Sequence, residues 1–244
     1  TRADFQHAAR TLSDPTGGSF GYAVTSDFLD PILFVYQHGG QLFDDLQAPT
    51  RTTFTDPKTI EAVDWYARFL REPHVVLTAQ NAAEVGAGNL QYTLRSGKVG
   101  MWIGPLSARG GRFDRAPWPI KWGMAPLPAD ARSATMATAT GYAITTQCKK
   151  SLTCWQFVVF MSKQPMATFA PARRSLLKAT VGQDAEVAGV AQAAVDNALM
   201  IRAGDLTRLE KAIGVFTAAV AEVVADKASA AEAMAVAQQQ SPMP

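Results

Sequence analysis

Short apolar runs bracketed by glycine and proline alternate with stretches of helical periodicity, and that alternation sets the fold class of this chain. Residues 20–24 follow Gly17 and Gly18 and read as a strand, because the run is too short for a buried helix. Residues 98–103 read as a second buried strand, stopped by Gly104 and Pro105, with further short strands expected at 121–125 and 142–145. Between them, Phe5, Ala8, Ala9 and Leu12 fall on one helical face. Asp30 and Pro31 open a helix to Gln37, since a first-turn proline lacks only an N–H that would go unpaired anyway. Thr55-Asp56-Pro57 starts another, with Ile60, Val63, Ala67 and Leu70 at helical spacing. Helices are also expected at 89–96, 152–161, 184–201, 205–226 and 228–237, with a short one beginning at 165–169 and a frayed tail at 238–244. Short strands interleaved with helices place the chain in the α/β class.

At 244 residues the chain is long enough to bury a core without staples. Hydrophobic residues at 48% and charged residues at 18% take it out of the disordered class. A net charge of +2 gives no long-range pull on nucleic acid or an anionic membrane. The densest basic cluster, Arg109, Arg112 and Arg115, reads as a solvated glycine-rich loop. No apolar run reaches the ~18–20 residues needed to cross a bilayer. The opening Thr-Arg-Ala-Asp-Phe is not a leader, so either a leader was removed or the chain begins within something longer. Cys148 and Cys154 are six apart, which fits neither a C-x-x-C redox motif nor a zinc site. In an oxidising compartment they close a short loop between a strand and a helix; otherwise they are two thiols.

A search for catalytic chemistry returns little. His7, His38 and His74 are scattered, and none sits in H-E-x-x-H. Gly17-Gly18-Ser19-Phe20-Gly21 spells G-x-S-x-G but precedes a strand rather than following one, so it is no nucleophile elbow, and there is no phosphate-binding loop. Glu61 and Asp64 are an i,i+3 acidic pair that reads as helix surface, and no motif proposes the facing carboxyls of a glycosidase. Trp65, Trp118, Trp122 and Trp155 read as core residues.

Several segments, taken in order, carry a positive match. They are Thr1 to Leu12, Gly21-Tyr22-Ala23, His38-Gly39-Gly40 with Phe43-Asp44, and Asp56-Pro57 with Trp65-Tyr66. Ser96-Gly97-Lys98 through Gly104-Pro105, Trp122-Gly123-Met124-Ala125-Pro126-Leu127-Pro128, Gly141-Tyr142-Ala143-Ile144 and Pro171-Ala172-Arg173-Arg174-Ser175 complete the series. Together the segments resemble family 1 extracellular solute-binding proteins, the maltose-binding-like sugar-binding components of ABC importers. Two positions depart from the pattern: Arg2 stands where the family has Trp, and Leu106 replaces the Trp that often follows Gly-Pro.

The resemblance implies a periplasmic-binding-protein-like (type II) fold of two lobes with a hinge, the N-terminal lobe incomplete in this chain. Residues 1–122 and 171–244 are then two parts of the C-terminal lobe and 123–170 a segment of the N-terminal lobe, with crossings near 119–128 and 170–173. It implies a binding component, not an enzyme, with no cofactor and no metal. A carbohydrate, polyol or glycerophosphate ligand is held between lobes that close over it. The candidate ligand-binding residues are Asp27, Phe28, Leu29 and Asp30 after the first strand, and Trp102, Gly104 and Leu106 at the end of another. Thr138, Thr140, Gly141 and Tyr142 come from the other lobe, and Arg173 stands at the re-entry. Asp30 has a second reading, as the cap of the helix that follows it, and Trp102 a second reading as core. The partners implied are a small carbohydrate-like ligand and a membrane ABC permease, with no nucleic acid. The implied setting is extracytoplasmic, with a lipid anchor through the absent N-terminus and a monomeric complete protein. A glycan-active hydrolase and a ligand-sensing module uncoupled from import are the alternatives.

Overall fold

Helix α1 (Arg2–Thr11) begins at a capping box: Thr1 accepts from the Asp4 N–H, and the Asp4 carboxylate returns a bond to the Thr1 backbone nitrogen. The computed structural model describes residues 1–26, 28–82, 90–111, 118–164, 170–177, 185–202 and 204–243. Its chain divides into two compact units. The first comprises Thr1–Gly104, Leu127–Met136 and Leu199–Pro244; the second comprises Pro105–Pro126 and Ala137–Ala198.

The first unit is built on a three-stranded parallel sheet in the order β2-β1-β3: β1 Phe20–Ala23, β2 Val76–Leu77 and β3 Val99–Trp102. All four residues of β1 are buried, as a central parallel strand requires. Helices α2 (Leu29–Gln37) and α3 (Pro57–Leu70) join β1 to β2; α4 (Ala79–Ala82) and α5 (Leu90–Arg95) precede β3. Asp56 caps α3 by accepting from the Lys58 N–H at 2.8 Å, with Pro57 just inside. Gly39 and Gly97 follow α2 and α5 with φ of 91° and 76°, left-handed values that glycine adopts without a Cβ penalty. Thr135–Met136 (β4) pairs with Ala198–Leu199 (β5) in a separate two-stranded sheet.

The core of this unit is aromatic. Phe5 of α1 lies 5.1 Å from Tyr22 edge-on, and within 6 Å of Phe34 and Phe69, ring centre to ring centre. Trp65 stacks on Phe69 at 5.5 Å, and the Arg2 guanidinium covers its ring at 4.7 Å. The segment returning to this unit is held to the end of α2: Arg132 donates to the carbonyls of Tyr36 and Gly40, and the Gln37 amide donates to the Ala134 carbonyl. Arg132 thereby reaches carbonyls at and just past the C-terminal end of α2.

Two long helices close the unit, α8 (Leu206–Val224) and α9 (Ala230–Gln240). The frayed tail expected at 238–244 is corrected here. Gln238 lies in α9, its Oε1 accepts from the buried Phe54 N–H at 2.8 Å, and its Nε2 donates to Thr52; Met243 is buried. Side-chain hydrogen bonds, invisible to hydropathy, tie the tail down. Gln238→Ala is therefore expected to cost about 2 kcal/mol in urea unfolding, because it strands a buried N–H. An unchanged midpoint would show that water satisfies Phe54 equally well.

The second unit contains α6 (Ser151–Met161), α7 (Ala185–Asp196) and two short 3-10 helices, Leu106–Gly111 and Arg174–Leu176. Leu177, Val187 and Ala191 are its buried apolar side chains among the described residues, with Leu106, Met124, Ala188 and Val195 packed against them. The strands expected at 121–125 and 142–145 do not form: both segments are irregular. An extended segment without a ladder partner has no hydrogen bonds to make it a strand. Trp122 and Trp155, expected in a core, are 39% and 57% exposed. The expected helix at 165–169 and the residues Arg112 and Arg115 lie outside the described residues.

Candidate functional site

In a parallel sheet the loops leaving the carboxyl ends of the strands share one edge, and that is where α/β folds place ligands. Here β1 and β3 are adjacent, with Tyr22 opposite Met101 and Ala23 opposite Trp102. The segments that follow them are joined directly: the Thr25 hydroxyl donates to the Ile103 carbonyl. This edge gathers Phe28, 50% exposed in the turn before α2, Trp102, half-buried at the end of β3, and the exposed Gly104. Ser26 organises the turn. Its hydroxyl accepts from the Leu29 N–H at 3.0 Å and its carbonyl from the Asp30 N–H. Asp27 lies outside the described residues.

Leu29 and Asp30 face inward. Leu29 is half-buried against the core, and Asp30 is fully buried, accepting from the Tyr22 hydroxyl at 2.5 Å. That carboxylate joins strand to helix within the core and is not presented to solvent. Nor does it cap α2, whose first free N–H goes to Ser26. Burial, and then the Asp30 charge, push the Tyr22 phenol well above its ordinary pKa.

The remaining candidates belong to the second unit. Leu106 packs into its small apolar core. Thr138, Thr140, Gly141 and Tyr142 are all exposed along one irregular segment, Tyr142 at 60%. Arg173 is exposed, and its guanidinium lies within 3.4 Å of the Ser162 hydroxyl just past α6. Cys148 and Cys154 are joined in a disulfide at the start of α6.

The sequence reading passed over Thr25, Ser26 and Ile103. A Thr-Ser pair between a strand and a helix start was the available signal. It also passed over the contacts of His38, whose two ring nitrogens lie 2.6 Å from Asp130 and 2.9 Å from Glu61. A surface hollow of about 390 Å³ is lined by Arg51, Thr52, Thr53, Thr55, Asp56 and Gln238. Of these, Gln238 donates to Thr52 in seating α9, and Asp56 caps α3. No group of three or more metal-ligating side chains occurs among the described residues.

No protein-family model and no curated protein matches the chain. Solved structures do. The sugar-binding protein MalE from Xanthomonas citri superposes with a TM-score of 0.76 at 17% identity, covering 99% of this chain and 62% of its own. The ABC substrate-binding protein Lmo0181 from Listeria monocytogenes, in complex with cycloalternan, gives 0.73 at 15% identity, with 98% and 62% covered. UgpB from Mycobacterium tuberculosis, in complex with glycerophosphocholine, gives 0.61 at 17% identity, with 92% and 56% covered. The chain thus spans less than two thirds of the length of the proteins it resembles. It carries the α/β, periplasmic-binding-protein-like fold of the sugar-binding ABC solute-binding proteins.

Proposed function

We propose that this chain is the larger part of an ABC-importer binding component that captures a carbohydrate, polyol or glycerophosphate-type ligand and releases it unchanged. The observation that carries the reading is the fold match along 98–99% of the chain to proteins described as sugar- or substrate-binding. The carboxyl edge of the first unit's sheet suits the task. Phe28 and Trp102 offer flat apolar surface for the C–H faces of a sugar, and Gly104 leaves backbone open to hydroxyls. Thr138, Thr140, Gly141, Tyr142 and Arg173 are the second unit's proposed contributors, all exposed. A guanidinium serves hydroxyls or a phosphate by paired hydrogen bonds. The lobe assignment 1–122 with 171–244, and 123–170, belongs to this proposal, as do an extracytoplasmic location, lipid anchoring and a permease partner. No helix among the described residues is long and apolar enough to cross a membrane.

A thermal-shift screen of the protein made from its full reading frame, against maltose, ribitol and glycerophosphocholine, tests this. A true ligand at ~100 times its Kd adds about 2.7 kcal/mol of stability, and Phe28→Ala is expected to weaken that response. Absence of any shift across the panel, or consumption of the sugar by purified protein, overturns the reading.

A further inference from the structure

Helix α2 reads Leu-Asp-Pro-Ile-Leu-Phe-Val-Tyr-Gln, and every residue from Asp30 to Gln37 is buried. A helix buried on all sides has no amphipathic stripe to fix its roll about its own axis. Hydrophobic burial is non-directional, so it sets how deep such a helix lies and not which residue faces which neighbour. Asp30 is the single charged side chain of α2; it is fully buried and accepts from the Tyr22 hydroxyl at 2.5 Å. Tyr22 is a fixed point of reference. Its backbone lies between Val76 and Met101 in the sheet, and its ring is held by Phe5 at 5.1 Å and Phe69 at 5.8 Å. Apolar side chains of similar volume would fill this place without desolvating a carboxylate. What the polar pair adds is direction, as a buried polar residue fixes register between helices at a cost in stability. A second observation lies one residue before α2. Phe28 has helical backbone angles, φ −89° and ψ −48°, so it turns with α2 as a rigid extension. The Leu29 and Asp30 N–H groups donate to the hydroxyl and the carbonyl of Ser26, which closes the turn around it. Side chains reach ~5–6 Å from a helix axis, so a roll of about 20° displaces an aromatic tip by about 2 Å.

We infer that Tyr22 and Asp30 are positioning residues of the binding edge: their buried bond fixes the roll of α2, and with it the direction in which Phe28 meets a ligand that neither of them touches. What Phe28 meets rests on the binding function proposed above; the control of its turn does not. Tyr22 and Asp30 are fully buried and Phe28 is 50% exposed, so the pair acts on the edge only through the backbone between them.

The test uses the product of the full reading frame and two substitutions that each delete one buried phenol. Tyr22→Phe removes the bond to Asp30; Tyr36→Phe removes a bond to the Leu42 N–H at the far end of the same helix. Amide exchange reads the turn without any ligand. In Tyr22→Phe the Leu29 and Asp30 amides are expected to exchange about tenfold faster relative to those of α3, because the loss is local and not global. In Tyr36→Phe that ratio should stay at the wild-type value. Calorimetric titration with whichever of maltose, ribitol and glycerophosphocholine binds the wild type then reads the edge, well below the melting temperature of every variant. Tyr22→Phe is expected to weaken binding about tenfold and Tyr36→Phe to leave it unchanged, a split that general destabilisation would not produce. In a Phe28→Ala background Tyr22→Phe should have no further effect, since two residues acting through one contact are not additive. A uniform rise in exchange across α2 and α3 overturns the assignment. So does a Tyr22→Phe protein that binds like the wild type, or one whose loss of affinity persists in full without Phe28. If no member of the panel binds the wild type, the binding function fails, and the exchange ratio alone decides whether the pair governs the turn.

Discussion

Gly21→Ala is expected to destabilise the first unit by more than 3 kcal/mol. A Cβ placed on Gly21 would lie 1.7 Å from the Ala9 carbonyl oxygen and 2.4 Å from its carbon. The obstacle is the backbone of α1, which cannot rotate aside as a side chain does. Relief requires the helix to move as a body, and that carries Phe5 away from Tyr22, Phe34 and Phe69. It also breaks the bond from the Gly21 N–H to the Ser13 hydroxyl at 3.1 Å. Overpacking a core costs about 1–3 kcal/mol where side chains can adjust, so a backbone collision exceeds that range. Gly214→Ala is the control: it lies on the exposed side of α8 with nothing within 4 Å of the new methyl. There alanine is expected to add about 0.5–1 kcal/mol through helix propensity. Urea unfolding followed by far-UV circular dichroism reads both. A Gly21→Ala midpoint equal to wild type would mean that α1 does not rest on β1.

The necessity of that glycine was not legible in the sequence, although the strand containing it was. Residues 20–24 could be assigned because length, hydrophobicity and flanking glycines are local; what Gly21 touches is set by Ala9 on a separate helix. The same division runs through the molecule. Proline and capping residues marked the start of α3 to the residue, whereas the C-terminal tail was misread because Gln238 is secured by Thr52 and Phe54, almost 190 positions away. At the candidate site, periodicity placed the ends of β1 and β3, and parallel pairing brought them to one edge. It did not show that Asp30 turns inward to Tyr22, because an aspartate in a first helical turn looks alike whether it faces water or a phenol. The strand expected at 142–145 failed for a different reason. Its composition is right, but a ladder is a property of two segments, and no described segment pairs with it.

Alkaline conditions are expected to unfold the protein through two tyrosines, with Tyr36 alone accounting for a loss of about 2.7 kcal/mol between pH 10 and 12. Burial pushes the Tyr36 phenol up to about 12. In the unfolded chain it ionises near its ordinary pKa of about 10. Above pH 10 the unfolded state therefore holds fewer protons than the folded state, and stability falls by about 1.4 kcal/mol per pH unit until the folded group ionises as well. Below pH 10 both states are protonated and the contribution is complete. Tyr22 acts in the same direction, since burial and the neighbouring Asp30 charge both oppose its ionisation. Urea midpoints at pH 8 and pH 11.5 separate the two contributions. Tyr36→Phe is expected to lose about 1 kcal/mol at pH 8, because the Leu42 N–H loses its acceptor, but to lose about 2 kcal/mol less than wild type on going to pH 11.5. Tyr22→Phe should start lower still, its phenol being the donor to a buried carboxylate, and should also show a shallower alkaline decline. Three parallel declines would show that neither phenol is sequestered from water, and the core built around Tyr22, Phe34 and Phe69 would have to be redrawn.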